Sequence, residues 1–125
     1  MKKMQSGFTL VELIVVMVLL GILAATAVPR YLDLTDEAEQ ASTDGVAGGM
    51  GAAMALNYGA CMVSSGSGDC RSVTDCNDVT NLMVDSPSDY TVTSLTISSG
   101  SSRSCTVTNN NAGNPKTATF TGISP

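Results

Sequence analysis

The 125-residue sequence predicts an α+β fold in which a long N-terminal helix, membrane-spanning in its first half and amphipathic in its second, packs on a small antiparallel sheet. Three observations predict it. Residues 8–28 are apolar apart from Thr9, Glu12 and Thr26, and at about 1.5 Å per helical residue they reach roughly 30 Å, the depth of membrane hydrocarbon. Residues 30–62 then carry apolar side chains at helical spacing. Beyond residue 90 the pattern changes to period two, which reads as strands with alternate residues facing a core.

The first element is a short basic leader, Met1-Lys2-Lys3-Met4-Gln5-Ser6-Gly7, followed directly by the apolar run. A conventional secretory signal has a shorter apolar core, about 7–15 residues, with the cleavage site after it. Here that order is reversed. The two lysines favour the cytoplasmic side for the leader, which puts everything after Pro29 on the far side of the membrane. Glu12 lies inside the apolar run, where a carboxylate costs on the order of 3 kcal/mol, so it needs a partner. One local reading is a capping box, with Thr9 at the cap and Glu12 three residues later.

Gly7-Phe8-Thr9-Leu10-Val11-Glu12 resembles the class III leader of type IV prepilins and of the pseudopilins of type II secretion. The match to the Gly-Phe-Thr-Leu-x-Glu pattern is complete. The resemblance extends through Pro29 and fades beyond about Cys61. It implies a pilin-like fold, cleavage between Gly7 and Phe8 by a prepilin peptidase, N-methylation of Phe8, and retention of the helix. It also implies that Gly21 and Pro29 mark a stretch able to kink or melt on assembly. The expected organisation is a cleaved leader at 1–7, a transmembrane and assembly helix at 8–29, and an exported domain at 30–125. Once cleavage is granted, the freed Phe8 amine is a cation that can meet Glu12 in a neighbouring copy, and an unpaired subunit is then penalised relative to a paired one.

The second half of the helix offers Asp33, Asp36, Glu37, Glu39 and Asp44 as a solvated face, with Ala47, Met50, Met54, Tyr58 and Met62 as the buried stripe. Gly45, Gly48, Gly49 and Gly51 weaken an isolated helix by roughly 1 kcal/mol each. Their small size implies close backbone approach to a sheet or to another subunit, and leaves room for a break between Thr43 and Gly45. Pro29 removes the amide that would bond back to Ala25. A Ser/Gly/Asp loop at 64–69 and a short helix at about 75–84 follow. The strands are then residues 90–97, 104–108 and 117–121, with turns at 98–102 and 109–115.

The four cysteines, Cys61, Cys70, Cys76 and Cys105, sit in a small domain outside the reducing compartment, which favours disulfides. Three connectivities are open. The favoured pairs are Cys61 with Cys70, clasping the loop to the helix end, and Cys76 with Cys105, tying the short helix to the sheet. Zinc would call for paired CxxC elements or His, and the chain has neither. Four cysteines depart from many type IVa pilins, which close one C-terminal loop with two, and look closer to short mannose-sensitive haemagglutinin-type pilins.

Without His or a Gly-rich phosphate loop, the sequence offers no usual base for a nucleophile and no nucleotide cradle. No enzyme activity, cofactor or metal is expected. Asp69, Asp75, Asp78, Asp85 and Asp89 are calcium-type ligands but lack EF-hand spacing. The formal charge is −5, and without Lys2 and Lys3 four basic side chains face eleven acidic ones, a total of −7. No nucleic-acid partner is therefore expected. The expected function is a structural subunit held in the bacterial inner membrane with its domain in the periplasm, then polymerised with copies of itself into a surface filament. Its partners are the prepilin peptidase and methyltransferase and the pilus assembly machinery. A pseudopilin of a secretion system and a monomeric membrane-tethered binding module are the alternatives.

Overall fold

The order of elements is one long helix, a short tighter helix, and three strands. The computed structural model describes residues 7–63 and 68–125, so the leader at 1–6 and most of the Ser/Gly loop, 64–67, lie outside the described residues. The elements are α1 (Leu10–Val63), a 3-10 helix η1 (Cys76–Asn81), β1 (Tyr90–Val92), β2 (Ser102–Asn109) and β3 (Lys116–Ile123). Packing separates two units, Met1–Thr35 and Asp36–Pro125.

In the first unit, α1 is apolar on every side. Its large side chains from Leu10 to Val28 are each 50–73% exposed, so no stripe of this helix is sheltered within its own unit among the described residues. By length and composition it can cross a membrane. A helix that is hydrophobic all round is at rest only in lipid or among other apolar helices.

In the second unit, residues 36–63 of α1 pack on one face of the sheet. The side chains turned inward are Thr43, Ala47, Met50, Met54, Asn57 and Cys61, alternating four and three residues apart as one face of a helix requires. Met62 is 69% exposed, which corrects the predicted stripe. The position one residue past Cys61 is turned about 100° away from the core. Thr43, Asp44 and Gly45 stay helical, with the Thr43 hydroxyl donating to the Glu39 carbonyl at 2.8 Å, so the break allowed by the glycines does not occur. Of the four glycines, only Gly51 approaches the sheet: a Cβ there would sit 3.7 Å from Phe120 Cβ, and at Gly45, Gly48 and Gly49 it would meet nothing within 4 Å.

The sheet is an antiparallel meander, β1-β2-β3. Cys105, Val107 and Phe120 point into the core and meet Met50 and Met54, with Val73, Val79 and Ile97 closing the sides. Polar bonds hold the helix in register. Lys116 pairs with Asp36 at 3.0 Å, Gln40 donates to the Thr117 carbonyl at 3.1 Å, and the Ser42 and Tyr90 hydroxyls meet at 3.0 Å.

Two elements differ from expectation. The strand expected over residues 90–97 stops pairing with β2 after Thr93, whose amide reaches the Thr106 carbonyl at 2.9 Å. Its continuation turns to the start of η1 instead, with Cys76 N–H donating to Leu95 C=O (3.0 Å) and Ile97 N–H to Thr74 C=O (2.8 Å). Asp75 anchors that crossing. Its side chain caps η1 by accepting from the Asn77 amide (2.9 Å) and takes the Ser94 hydroxyl (2.8 Å), while Asp78 accepts from the Asp75 amide (2.9 Å). The helix expected at 75–84 is shorter and tighter: its buried residues, Cys76 and Val79, are three apart, which is one turn of a 3-10 helix.

The Asn77 amide and then the Ser94 hydroxyl hold the Asp75 carboxyl below the usual aspartate range. The charged form is favoured on folding, so its stabilisation is complete above the ordinary aspartate pKa and is lost as pH falls through the lowered one. Acid melts of the detergent-solubilised chain should show this loss, and Asp75→Asn should lower the melting temperature at neutral pH and flatten its decline in acid. At Gly122 a Cβ would lie 2.6 Å from Cys105 Sγ and 2.7 Å from Ile97 Cδ1. Urea unfolding should therefore find Gly122→Ala destabilised by about 1–3 kcal/mol, whereas Gly48→Ala, in open space within the helix, should gain about 0.5–1 kcal/mol.

Candidate functional site

The polar groups at the start of α1 are concentrated on Glu12. Its Oε2 accepts from the Thr9 amide at 2.8 Å and from the Thr9 hydroxyl at 2.7 Å, and the Glu12 amide donates back to Thr9 Oγ1 at 3.3 Å. This is a complete capping box. Thr9 forms it because its short hydroxyl can reach the third residue of the helix, and Glu12 because a carboxylate there meets the positive helix end. Both named contacts to the carboxylate use the same oxygen. Oε1 has no partner within the chain among the described residues, so the box leaves one face of the carboxylate free for a cation. Phe8, one residue before the cap, is 91% exposed, and Gly7 precedes it without any neighbour within 4 Å of where a Cβ would be.

Gly21 and Pro29 both lie inside α1. Pro29 supplies no amide to the Ala25 carbonyl, which leaves a gap in the helical ladder one turn before the proline. Among the described residues nothing requires a glycine at position 21, since a Cβ would meet nothing within 4 Å.

The second unit is stapled twice. Cys61 joins Cys70 with Cα atoms 4.7 Å apart, and Cys76 joins Cys105 with Cα atoms 5.7 Å apart. The first clasps the chain after α1 back to the helix end, and the second ties η1 to β2 within the core. Beside the first staple, Asn57 grips the backbone of Arg71 twice: its Nδ2 donates to the Arg71 carbonyl and its Oδ1 accepts from the Arg71 amide, both at 2.9 Å. This clamp was not anticipated from sequence. Its signal was an amide side chain on the inward face, three residues after Met54, where only a satisfied polar group can be buried.

The acidic residues are spread rather than gathered. Asp36 pairs with Lys116, Glu39 accepts from the Gly113 amide at 3.4 Å, and Asp75 and Asp78 are occupied by the η1 cap. Among the described residues no group of three or more His, Cys, Asp or Glu side chains is placed to hold a metal ion.

A known family shares the segment that contains the capping box. The family described as the prokaryotic N-terminal methylation motif matches residues 2–28. The chain is 54% identical over 50 residues to the major component of the type IV narrow pilus of Thermus thermophilus, covering 40% of this chain and 43% of that one. It is 43% identical over 63 residues to the type IV major fimbrial protein of Dichelobacter nodosus, 49% of this chain and 39% of that one. It is 40% identical over 58 residues to a fimbrial protein of Eikenella corrodens, 46% and 38% of the two chains. The matched stretches thus span less than half the length of these relatives, and no solved structure matches. The chain thus carries a prokaryotic N-terminal methylation motif and, over less than half of its length, is similar to the major subunits of type IV pili.

Proposed function

We propose that the chain is a structural subunit of a type IV pilus-like surface filament, built by packing its apolar helices side by side. One observation carries the reading. The first unit exposes apolar side chains on every side and holds among them a carboxylate with one oxygen unspent among the described residues. Lipid satisfies the apolar surface but not the carboxylate. A bundle of copies satisfies both, because each processed copy brings a Phe8 amine that can sit against the Glu12 of its neighbour.

Processing comes first in this scheme. A prepilin peptidase cuts between Gly7 and Phe8, removing Lys2 and Lys3, and the new Phe8 amine is methylated. Before assembly the helix rests in the inner membrane with the stapled domain in the periplasm, and the assembly machinery then withdraws it into the filament. Glu12 retains its Oε2 bonds to Thr9 and offers Oε1 to the neighbour, so the cap and the intersubunit pair coexist. The pairing selects register, since a copy displaced along the bundle leaves two charges unmatched in an apolar interior. The gap in helical bonding before Pro29 is the place where the helix yields as it changes surroundings.

Mass spectrometry of the filament protein should give a chain beginning at methylated Phe8, and an intact leader would contradict the processing step. Glu12→Leu should insert in the membrane normally. Its filament yield should fall more than about 100-fold, because removing one member of a buried pair costs about 3–5 kcal/mol. Wild-type yield from that variant, read by shearing and quantifying filaments, would remove the register role.

A further inference from the structure

The outer face of the sheet, opposite α1, carries an ordered array of threonines with no ionisable group. β2 and β3 each contribute a Thr-x-Thr pair, and β1 contributes Thr91, with Thr93 just past its end; the strand register lines them up. Thr91 lies opposite Thr108, which lies opposite Thr117, and Thr106 lies opposite Thr119. Thr93 completes the second row through its amide bond to the Thr106 carbonyl at 2.9 Å. Thr91, Thr93, Thr117 and Thr119 are exposed and the two central threonines half-buried. Of these six hydroxyls, only that of Thr91 meets another side chain among the described residues, the Asn110 amide at 3.4 Å.

We propose that this face is a contact between copies of the chain carried by neighbouring filaments, an inference that rests on the filament reading above. Two physical features select a second copy as the occupant. Eleven acidic side chains are distributed over α1, η1 and the loops, and none stands at an outward position of the strands. Two such acidic molecules repel each other through their other surfaces and meet without like-charge cost at this one. A hydroxyl both donates and accepts, so a hydroxyl array is complementary to its own copy, as a two-fold contact requires. The rows repeat at the strand spacing of about 4.8 Å, so a match at one threonine brings the others close to partners too. A single pair of faces is small and binds weakly. Repetition along two filaments makes every contact after the first intramolecular, which multiplies the total.

The test uses filaments sheared from cells making the full chain, scored by electron microscopy and by the fraction that pellets at low speed. Wild-type filaments should lie side by side, and more so in added salt, which screens the acidic surfaces without touching an uncharged contact. Thr106→Glu/Thr119→Glu filaments should be single, normal in number and length, with the low-speed pellet reduced on the order of tenfold. Thr106→Ser/Thr119→Ser and Ser86→Glu, the latter adding charge off this face, should associate as the wild type does. Several results would overturn the proposal: wild-type filaments that stay single, acidic variants that associate normally, or equal dispersal by Ser86→Glu. Loss of filaments from the acidic variant alone would place the contact inside one filament, and wild-type filaments that stay single but coat a neutral polysaccharide would assign the face to another partner. Absence of filaments from the wild type would instead defeat the parent reading.

Discussion

A carboxylate in an apolar helix is the constraint on which the rest of the molecule turns. Glu12 sits among apolar side chains that are half exposed or more, and among the described residues it has only the Thr9 cap. That cap spends one oxygen. Whatever surrounds the helix in its working state must exclude water to satisfy the leucines and valines, and must still supply a positive group to satisfy the acid. In the proposed filament, processed copies would meet both demands with groups the chain itself carries.

The second unit answers a different demand. A domain of this size has a thin core, here Met50, Met54, Val107 and Phe120 with a few neighbours. Two disulfides, each contributing about 2–4 kcal/mol, and a web of helix-to-strand bonds compensate for the small apolar volume. One staple is itself a core residue pair: Cys76 and Cys105 are both fully buried, and Gly122 leaves them room. Because the helix covers only one face of the sheet, the other face is free to carry a different chemistry. The charge-free rows of threonine use that freedom.

Much of this was legible in the order of residues, and the exceptions have physical causes. The period-3.6 pattern located α1, and period two located β2 and β3, because each element buries one face. Hydrophobicity alone misplaced the end of the helix stripe: it selected Met62 for its apolar side chain, whereas the inward turn falls on Cys61, and Asn57 is buried because the Arg71 backbone satisfies it. The alternation of residues 90–97 promised one straight strand. Asp75 draws the later half away through its cap and the Ser94 hydroxyl, a long-range competition that no local pattern records. The glycines between 45 and 49 suggested close approach, yet their Cβ positions are open among the described residues. At the N-terminus, the spacing of Thr9 and Glu12 disclosed the cap, while the free carboxylate oxygen required coordinates.

The account rests on where that oxygen goes when the chain assembles. A structure of the purified filament, at a resolution that places side chains, tests it most directly. The account predicts the Glu12 carboxylate within about 4 Å of the Phe8 amine of a neighbouring subunit, both enclosed by apolar side chains. A filament in which Glu12 faces water, or in which the two groups lie far apart, would contradict it.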